Sequence, residues 1–316
     1  MGNDTSETDL LAARARQNVV LCILGILFNS VLVAVVCKSP RLRKSAKYQL
    51  VVSLSGADIL VSSIYLPLDT CMAFNNGTWP FGCPLLFFAY GLQEFVVPTV
   101  TALTLAAICL EYAVTIFFTV TPLVRRRVVL TGVLLPWLLG LAAWIPVYTA
   151  RVITSGGSFS ESCTSANWTL AGLVALLGAF GFAPLTFLLV ALVLLVVAHC
   201  CRQPDERLAV RTIIARSEGV YLTHEMFDTF IAGLISVVFS LPFLIELTSH
   251  LECDVFLVCR STARIHHFVE VLRTAESVFF PAIWMLGAEF RHGLFTSSVC
   301  CYKYCDMDVE GPVTVR

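Results

Sequence analysis

The stretch VVLCILGILFNSVLVAVVC, residues 19–37, carries no charge and is long enough to cross a lipid bilayer. About 20 consecutive apolar residues span the hydrocarbon core as a helix. Six more apolar stretches follow, at residues 50–73, 85–120, 128–150, 170–198, 226–249 and 267–286. The chain is 57% hydrophobic and only 14% charged, which leaves too little polar surface for a water-soluble globule. The sequence therefore predicts an all-α membrane protein, a seven-transmembrane helix bundle with helices numbered 1 to 7 in this order.

Basic residues concentrate in the segments that follow the first, third, fifth and seventh stretches. By the positive-inside rule these segments face the cytosol, so the N-terminus is predicted to be extracellular and the C-terminus cytoplasmic. Three glycosylation sequons agree with this orientation, because all lie on the predicted outer side: Asn3, Asn76 and Asn167. The arginines at 125–127 are expected to contact anionic lipid headgroups.

Four segments are predicted from this pattern: an extracellular tail at 1–18, a seven-helix domain at 19–288, an amphipathic helix 8 at 289–300 and a cytoplasmic tail at 301–316. An apolar stripe beside polar neighbours indicates that helix 8 lies on the inner leaflet; its members are Phe290, Leu294, Phe295 and Val299. Cysteines at and beyond its end are candidates for palmitoylation: Cys300, Cys301 and Cys305.

Short motifs on successive helices follow the order found in one receptor family. Helix 1 contains GILFN ending at Asn29, helix 2 contains LSGAD ending at Asp58, and WPFG stands at 79–82. TLAAICLEYAV in helix 3, prolines in helices 4 to 6, FPAIW in helix 7 and the following GAEFRHGL continue the series. The chain resembles the rhodopsin-like (class A) G-protein-coupled receptors, as a divergent member. The resemblance implies a plasma-membrane receptor whose partners are an extracellular ligand, a heterotrimeric G protein and arrestin.

The chain departs from this family at positions that the resemblance identifies as the activation switch. These positions are Glu111, Tyr112, Ser240, Pro242, Pro281 and Trp284. Tyr112 stands where the family has arginine, and a neutral phenol cannot replace a guanidinium. Ser240 replaces a tryptophan of helix 6, and Trp284 replaces a tyrosine of helix 7. G-protein coupling is therefore expected to be absent, atypical or partly active without ligand.

Asp58 is a carboxylate in the middle of predicted helix 2, where an unpaired charge is costly. In the family, this position binds sodium together with polar groups of helices 1, 3 and 7. By alignment the neighbours here are Asn29, Thr101, Ser277 and, unusually, Glu276. Two adjacent carboxylates cannot both stay ionised without a cation, so Asp58 and Glu276 are expected to share a proton or a sodium ion. The alternative is that Glu276 points elsewhere and hydrogen-bonds locally.

Four charged residues lie nearer the predicted outer side: Glu94 in helix 3, Glu246 in helix 6, and Glu270 and Arg273 in helix 7. Intramembrane charges usually face the bundle interior or a wet cavity. One interpretation is a ligand pocket for a cationic or zwitterionic group. The other is a Glu94–Arg273 ion pair that joins helices 3 and 7. Pro98, one turn below Glu94, is expected to kink helix 3.

The resemblance also implies a disulfide from the outer end of helix 3 to the second outer loop. Here that bridge is Cys83–Cys163, although Cys83 stands earlier in the chain than the family's spacing. A local Cys253–Cys259 bridge in the third outer loop is the second prediction, and Cys71 is the alternative partner for any of these cysteines. Spacing alone does not fix the connectivity.

Two functions compete. The favoured one is a G-protein-coupled receptor that signals by a ligand-driven population shift. The other is a non-signalling seven-helix protein: a decoy or scavenger, or a modulator of another receptor through dimerisation.

Other classes are disfavoured. No internal repeat supports a transporter, and Thr274 stands where an opsin has its retinal-binding lysine. No nucleophile with a base, phosphate loop or metal-ligand spacing indicates an enzyme. No cofactor, no nucleic-acid partner and no metal beyond sodium is predicted.

Overall fold

The structure, a computed structural model, describes residues 4–75, 78–117, 122–154, 177–201, 218–256, 263–291 and 294. The helices within these ranges are helix 1 (Asp4–Lys38), helix 2 (Ala46–Phe74), helix 3 (Cys83–Phe117), helix 4 (Pro122–Thr154), helix 5 (Ala183–Cys200), helix 6 (Glu218–Phe256) and helix 7 (Ala263–Leu286). A short helix, Pro40–Lys44, connects helices 1 and 2. Below, the end of the bundle where helix 1 begins is the outer end, and the opposite end is the inner end.

Each predicted apolar stretch overlaps one of these helices in the described residues, and the predicted all-α seven-helix bundle is confirmed. Helix 3 packs against helices 2, 4, 5 and 6, and helix 1 packs against helices 2 and 7. Six of the described helices are long and apolar enough to cross a membrane. Helix 7 has similar length but carries Glu270, Arg273 and Glu276. Such charges need polar partners inside the bundle.

Several helices extend beyond the predicted stretches. Helix 1 begins at Asp4, so most of the segment predicted as a tail, 1–18, is helical. Helix 1 extends into this segment because two of its polar residues have partners in the bundle: Arg14 and Asn18 both donate to Asp69 of helix 2. Helix 6 begins at Glu218 rather than at 226. A helix can continue past the hydrocarbon core because its backbone hydrogen bonds are satisfied within it.

Helices 2, 3 and 5 each contain or follow a wider π-helical turn, at Val61–Tyr65, Leu92–Val96 and Leu177–Phe182. A proline stands two residues after each turn: Pro67, Pro98 and Pro184. Proline lacks an N–H, and its ring clashes with the carbonyl four residues earlier. A wider turn relieves that clash, so the distortion expected at Pro98 takes the form of a π-turn.

The apolar interior divides into two clusters. The inner apolar cluster joins helices 1, 2, 3, 5, 6 and 7 and includes Leu105, Leu195 and Trp284. The second apolar cluster lies nearer the outer end, joins helices 2, 3 and 4, and includes Leu92 and Trp144. The outward faces of helices 4 and 5 expose further valines and leucines, as lipid-facing helices do.

Of the predicted helix 8, 289–300, the structure describes 289–291 and 294 as helical, with Phe290 buried against the inner apolar cluster. Several predicted sites lie outside the described residues: Asn3, Asn76, Asn167, Cys163, Cys259, Cys300, Cys301 and Cys305. Of Cys253, only the backbone in helix 6 is described.

Candidate functional site

Polar residues of four helices line a cavity near the middle of the bundle. Asp58 of helix 2 faces it with Glu276 and Ser277 of helix 7, Ser240 of helix 6 and Gln93 of helix 3. The cavity measures about 10 Å³, which is room for about one water molecule. The structure thus brings together three of the residues that the sequence assigns to a polar core.

The other two assigned residues are buried in helices 1 and 3. The amide of Asn29 donates to the carbonyl oxygens of Gly25 at 2.9 Å and of Ser277 at 2.8 Å. The second bond ties helix 1 to helix 7. Thr101 is buried in helix 3.

Several buried oxygens in these residues have no hydrogen-bond partner among the described protein atoms: Asn29 Oδ1, Asp58 Oδ2, Thr101 Oγ1 and Glu276 Oε1. An orphaned buried acceptor costs about 1–3 kcal/mol. Carboxylate, amide and hydroxyl oxygens are ligands for hard cations. Asp58 and Glu276 line the same cavity, so their carboxylates would repel each other if both were ionised.

Arg273 of helix 7 is buried and lines the same cavity. Its guanidinium donates to the backbone carbonyl oxygens of Gln93 and Glu94, both in the π-turn of helix 3. It also lies 3.8 Å from the ring centroid of Phe243 in helix 6, a cation–π arrangement. The charges of Glu94 and Glu276 act on it as well. Arg273 therefore connects helices 3, 6 and 7.

A second polar group, here named the outer cluster, consists of Arg14, Asn18, Tyr65, Asp69, Tyr90 and Glu270. Arg14 donates to both carboxylate oxygens of Asp69, at 2.8 and 2.7 Å. Asn18 donates to the same carboxylate at 2.6 Å, and the Tyr90 hydroxyl donates to it at 3.0 Å. Arg14 also lies 2.8 Å from Glu270 Oε2. The outer cluster thereby joins helices 1, 2, 3 and 7.

Glu270, assigned from the sequence to a ligand pocket, is held within the outer cluster. The Tyr65 hydroxyl donates to Glu270 Oε1 at 3.3 Å, and the rings of Tyr65 and Tyr90 meet edge to face at 5.5 Å. Of the other acidic residues assigned to the pocket, Glu94 is half-buried in helix 3 and Glu246 is buried in helix 6.

Sequence reasoning missed most of the outer cluster. Asp69 gave a usable signal, because a carboxylate within an apolar stretch needs a partner. Arg14 and Asn18 gave none, because both fall in the segment predicted as a tail. Tyr65 and Tyr90 carry no pattern that separates them from aromatic residues packed in the core.

At the inner end, helix 3 is attached to helices 4 and 5. Glu111 pairs with Arg125 of helix 4, whose Nη2 lies 3.0 Å from Glu111 Oε1. The buried Tyr112 places its hydroxyl 3.1 Å from Nδ1 of His199 in helix 5, and the histidine tautomer decides which group donates. Tyr112, which the resemblance places where the family has arginine, thus hydrogen-bonds to helix 5.

The remaining residues predicted to form the activation switch lie in helices 6 and 7. Ser240 lines the central cavity, and Pro242 and Pro281 stand inside their helices. Trp284 is almost completely buried, and the Lys47 ammonium lies 5.3 Å from its ring centroid. The aromatic face stabilises a cation at the inner end of helix 2.

Cys83, at the outer end of helix 3, is disulfide-bonded. The described contacts do not identify its partner, so the pairing with Cys163 stays a prediction. Cys71 is a free thiol exposed on the outside of helix 2, and the prediction that Cys71 is an alternative partner of Cys83 was wrong.

Comparison with known proteins gives one family and several relatives. The family described as "7 transmembrane receptor (rhodopsin family)" matches residues 28–284. The RYamide receptor of Drosophila melanogaster is 29% identical over 128 residues, which are 40% of this chain and 26% of that receptor. The RYamide receptor of Tribolium castaneum is 24% identical over 161 residues, 48% of this chain and 42% of that receptor. Neuropeptide receptor 22 of Caenorhabditis elegans is 27% identical over 161 residues, which are 48% of this chain and 36% of that receptor. The matched part covers less than half the length of each relative.

Proposed function

This chain belongs to the rhodopsin family of seven-transmembrane receptors, and we propose on that basis that it binds an extracellular peptide and signals through a heterotrimeric G protein. It is a receptor, not an enzyme, and a multi-pass protein of the plasma membrane. The observation that carries the proposal is the similarity to receptors for RYamides and for a neuropeptide.

The ligand is proposed to be a peptide that carries a cationic or zwitterionic group. The charged residues assigned to the pocket from the sequence are proposed to receive that group: Glu94, Glu246, Glu270 and Arg273. Charges at membrane depth usually face the bundle interior or a wet cavity. RYamides, the peptides for which two relatives are named, are the first class to test.

The outer end is proposed to be extracellular. The concentration of basic residues beyond helices 1, 3, 5 and 7 supports this orientation, as does the bonded state of Cys83, because disulfides persist outside the cell. In this orientation the three sequons lie outside, and Cys300, Cys301 and Cys305 lie inside, where acylation would hold helix 8 on the inner leaflet.

The polar core is proposed to hold one sodium ion or one proton between Asp58 and Glu276. Their partnerless oxygens support this, and those of Asn29 and Thr101 would complete the ligand set. Binding at this core favours the resting arrangement of helices 2 and 7. A peptide favours the open arrangement, in which helix 6 moves and the G protein or arrestin gains access.

Ligand-free and peptide-stimulated activation of every Gα family tests the proposal, with wild type and Tyr112→Arg at matched surface expression. Synthetic RYamides are the probe. We expect wild type to activate one Gα family and the peptide to increase that activity. Silence of both variants, with and without peptide, would contradict the proposed function.

A non-signalling role, as a decoy or as a modulator that dimerises with another receptor, is the second candidate. The Tyr112–His199 contact favours this role. Tyr112 stands where the resemblance places the arginine that contacts the G protein, and its hydroxyl is bonded to helix 5 instead. In that case wild type stays silent while Tyr112→Arg becomes active.

A further inference from the structure

The π-turn of helix 3 leaves a backbone carbonyl without a helical donor. The N–H of Val97 bonds to the carbonyl of Leu92, five residues earlier. In an α-helix that N–H would donate to the carbonyl oxygen of Gln93, four residues earlier. In a continued π pattern the donor to Gln93 would be residue 98, which is Pro98 and has no N–H. The Gln93 carbonyl therefore receives neither donor, because the Val97 N–H is bonded to Leu92 and Pro98 has no N–H.

The Glu94 carbonyl loses its α-helical donor for the same reason, because that donor would be the N–H of Pro98. A buried carbonyl without a partner is costly. Arg273 donates to both the Gln93 and the Glu94 carbonyl oxygens. One guanidinium, which is a rigid fork of donors, thus completes the hydrogen bonding that Pro98 removes from helix 3.

The same guanidinium reaches helix 6 through the ring of Phe243 at 3.8 Å. In the described hydrogen bonds, the carbonyls of this π-turn accept from a guanidinium of another helix. In the π-turn of helix 2, the Ser63 hydroxyl bonds within its own helix, to the carbonyl of Ile59. The π-turn also rotates the outer part of helix 3, because each extra residue shifts the facing direction by about 100°. Tyr90, which reaches Asp69, lies in that rotated part.

We propose that Arg273 is a positioning residue that maintains the π-turn of helix 3 by capping the two carbonyls Pro98 leaves open, and that it thereby sets which side chains of outer helix 3 face the ligand pocket. This goes beyond the proposed function, since it concerns how the pocket is built rather than which ligand enters it. The cap also couples helix 7 to helix 3, so movement of helix 7 acts on the pocket wall directly.

A double-mutant cycle tests this relationship. Arg273→Met removes the donors but keeps a long side chain, and Pro98→Ala returns an N–H that can donate to the Glu94 carbonyl. Pro67→Ala is the matched control, because Pro67 also follows a π-turn but in helix 2, and the described hydrogen bonds of Arg273 go to carbonyls of helix 3. The readouts are the Tm of the purified receptor and hydrogen exchange of backbone amides in 90–102.

We expect Arg273→Met to lower the Tm and to speed exchange of the helix 3 amides about tenfold or more. Pro98→Ala should recover about half or more of the Tm loss, while Pro67→Ala recovers none. An equal Tm loss from Arg273→Met in all three backgrounds would overturn the proposal. If Arg273→Met yields no folded receptor, Arg273→Lys, which keeps a cation and can reach a carbonyl, replaces it in the same cycle with the same criteria.

Discussion

Arg14 and Asp69, which lie 55 residues apart in the chain, form a two-point ion pair in which Nε and Nη2 of the arginine each bond one carboxylate oxygen, at 2.8 and 2.7 Å. A bidentate pair of this kind is short, directional and hard to replace with lysine. It fixes the outer end of helix 1 to helix 2, and through Glu270 to helix 7. The start of helix 1 is thus part of the receptor bundle.

Removal of Arg14 should therefore destabilise the receptor. Arg14→Ala leaves Asp69 buried with its charge uncompensated, and breaking such a pair costs about 3–5 kcal/mol. We expect a clear fall in the Tm of the purified receptor in lipid nanodiscs. Arg16→Ala is the control, because Arg16 is exposed and bonds to the Ala12 carbonyl of its own helix. Equal losses in both variants would show that the ion pair contributes nothing specific.

Sodium should stabilise the wild-type receptor through its carboxylate pair. A ligand that binds only the folded state raises stability with its concentration. We expect a higher Tm in sodium chloride than in choline chloride at equal ionic strength, a reduced difference in Glu276→Gln and none in Asp58→Asn. Glu289→Gln, at the inner end, should respond like wild type. A wild-type sodium response in Glu276→Gln would exclude a shared cation.

The Tyr112–His199 hydrogen bond should restrain helix 5 against helix 3. Tyr112→Phe removes only the hydroxyl, and we expect a cost of about 0.5–1.5 kcal/mol. His199→Ala should add little to that loss, since the two residues share one interaction. Basal G-protein activation should rise in both single variants. Fully additive losses of stability would mean that the two side chains do not interact.

Gly91 should tolerate no side chain. A Cβ at this position would overlap the indole nitrogen of Trp144 in helix 4, whereas a Cβ on Gly56 meets nothing within 4 Å. Overpacking of this kind costs about 1–3 kcal/mol. Gly91→Ala is expected to lower the Tm and Gly56→Ala to leave it unchanged or raise it, because alanine favours a helix. The result would count against this packing if the two variants behaved alike.

The fold could be predicted from the sequence because seven long apolar stretches each require a helix in a bilayer. Asp58 and Glu276 could be assigned to one core, since carboxylates at membrane depth must find partners. The partners of Arg14 could not be predicted, because a charged residue in a predicted solvent-exposed tail does not need a partner in the protein. The position of Pro98 in the sequence indicated where helix 3 is distorted. The capping by Arg273 could not be predicted, because it depends on which face of helix 7 meets that turn.

The π-turns before Pro67, Pro98 and Pro184 have a consequence for comparing this chain with its relatives. A π-turn holds more residues than an α-helical turn. In helices 2 and 3, the residues on the outer side of the turn therefore face a direction that counting 3.6 residues per turn does not give. Gap-free alignment through such a helix therefore pairs pocket residues with positions on a different face. In helix 3, equivalent residues outward of Leu92 are better assigned by the contact between Tyr90 and Asp69 than by their distance along the chain from Glu111.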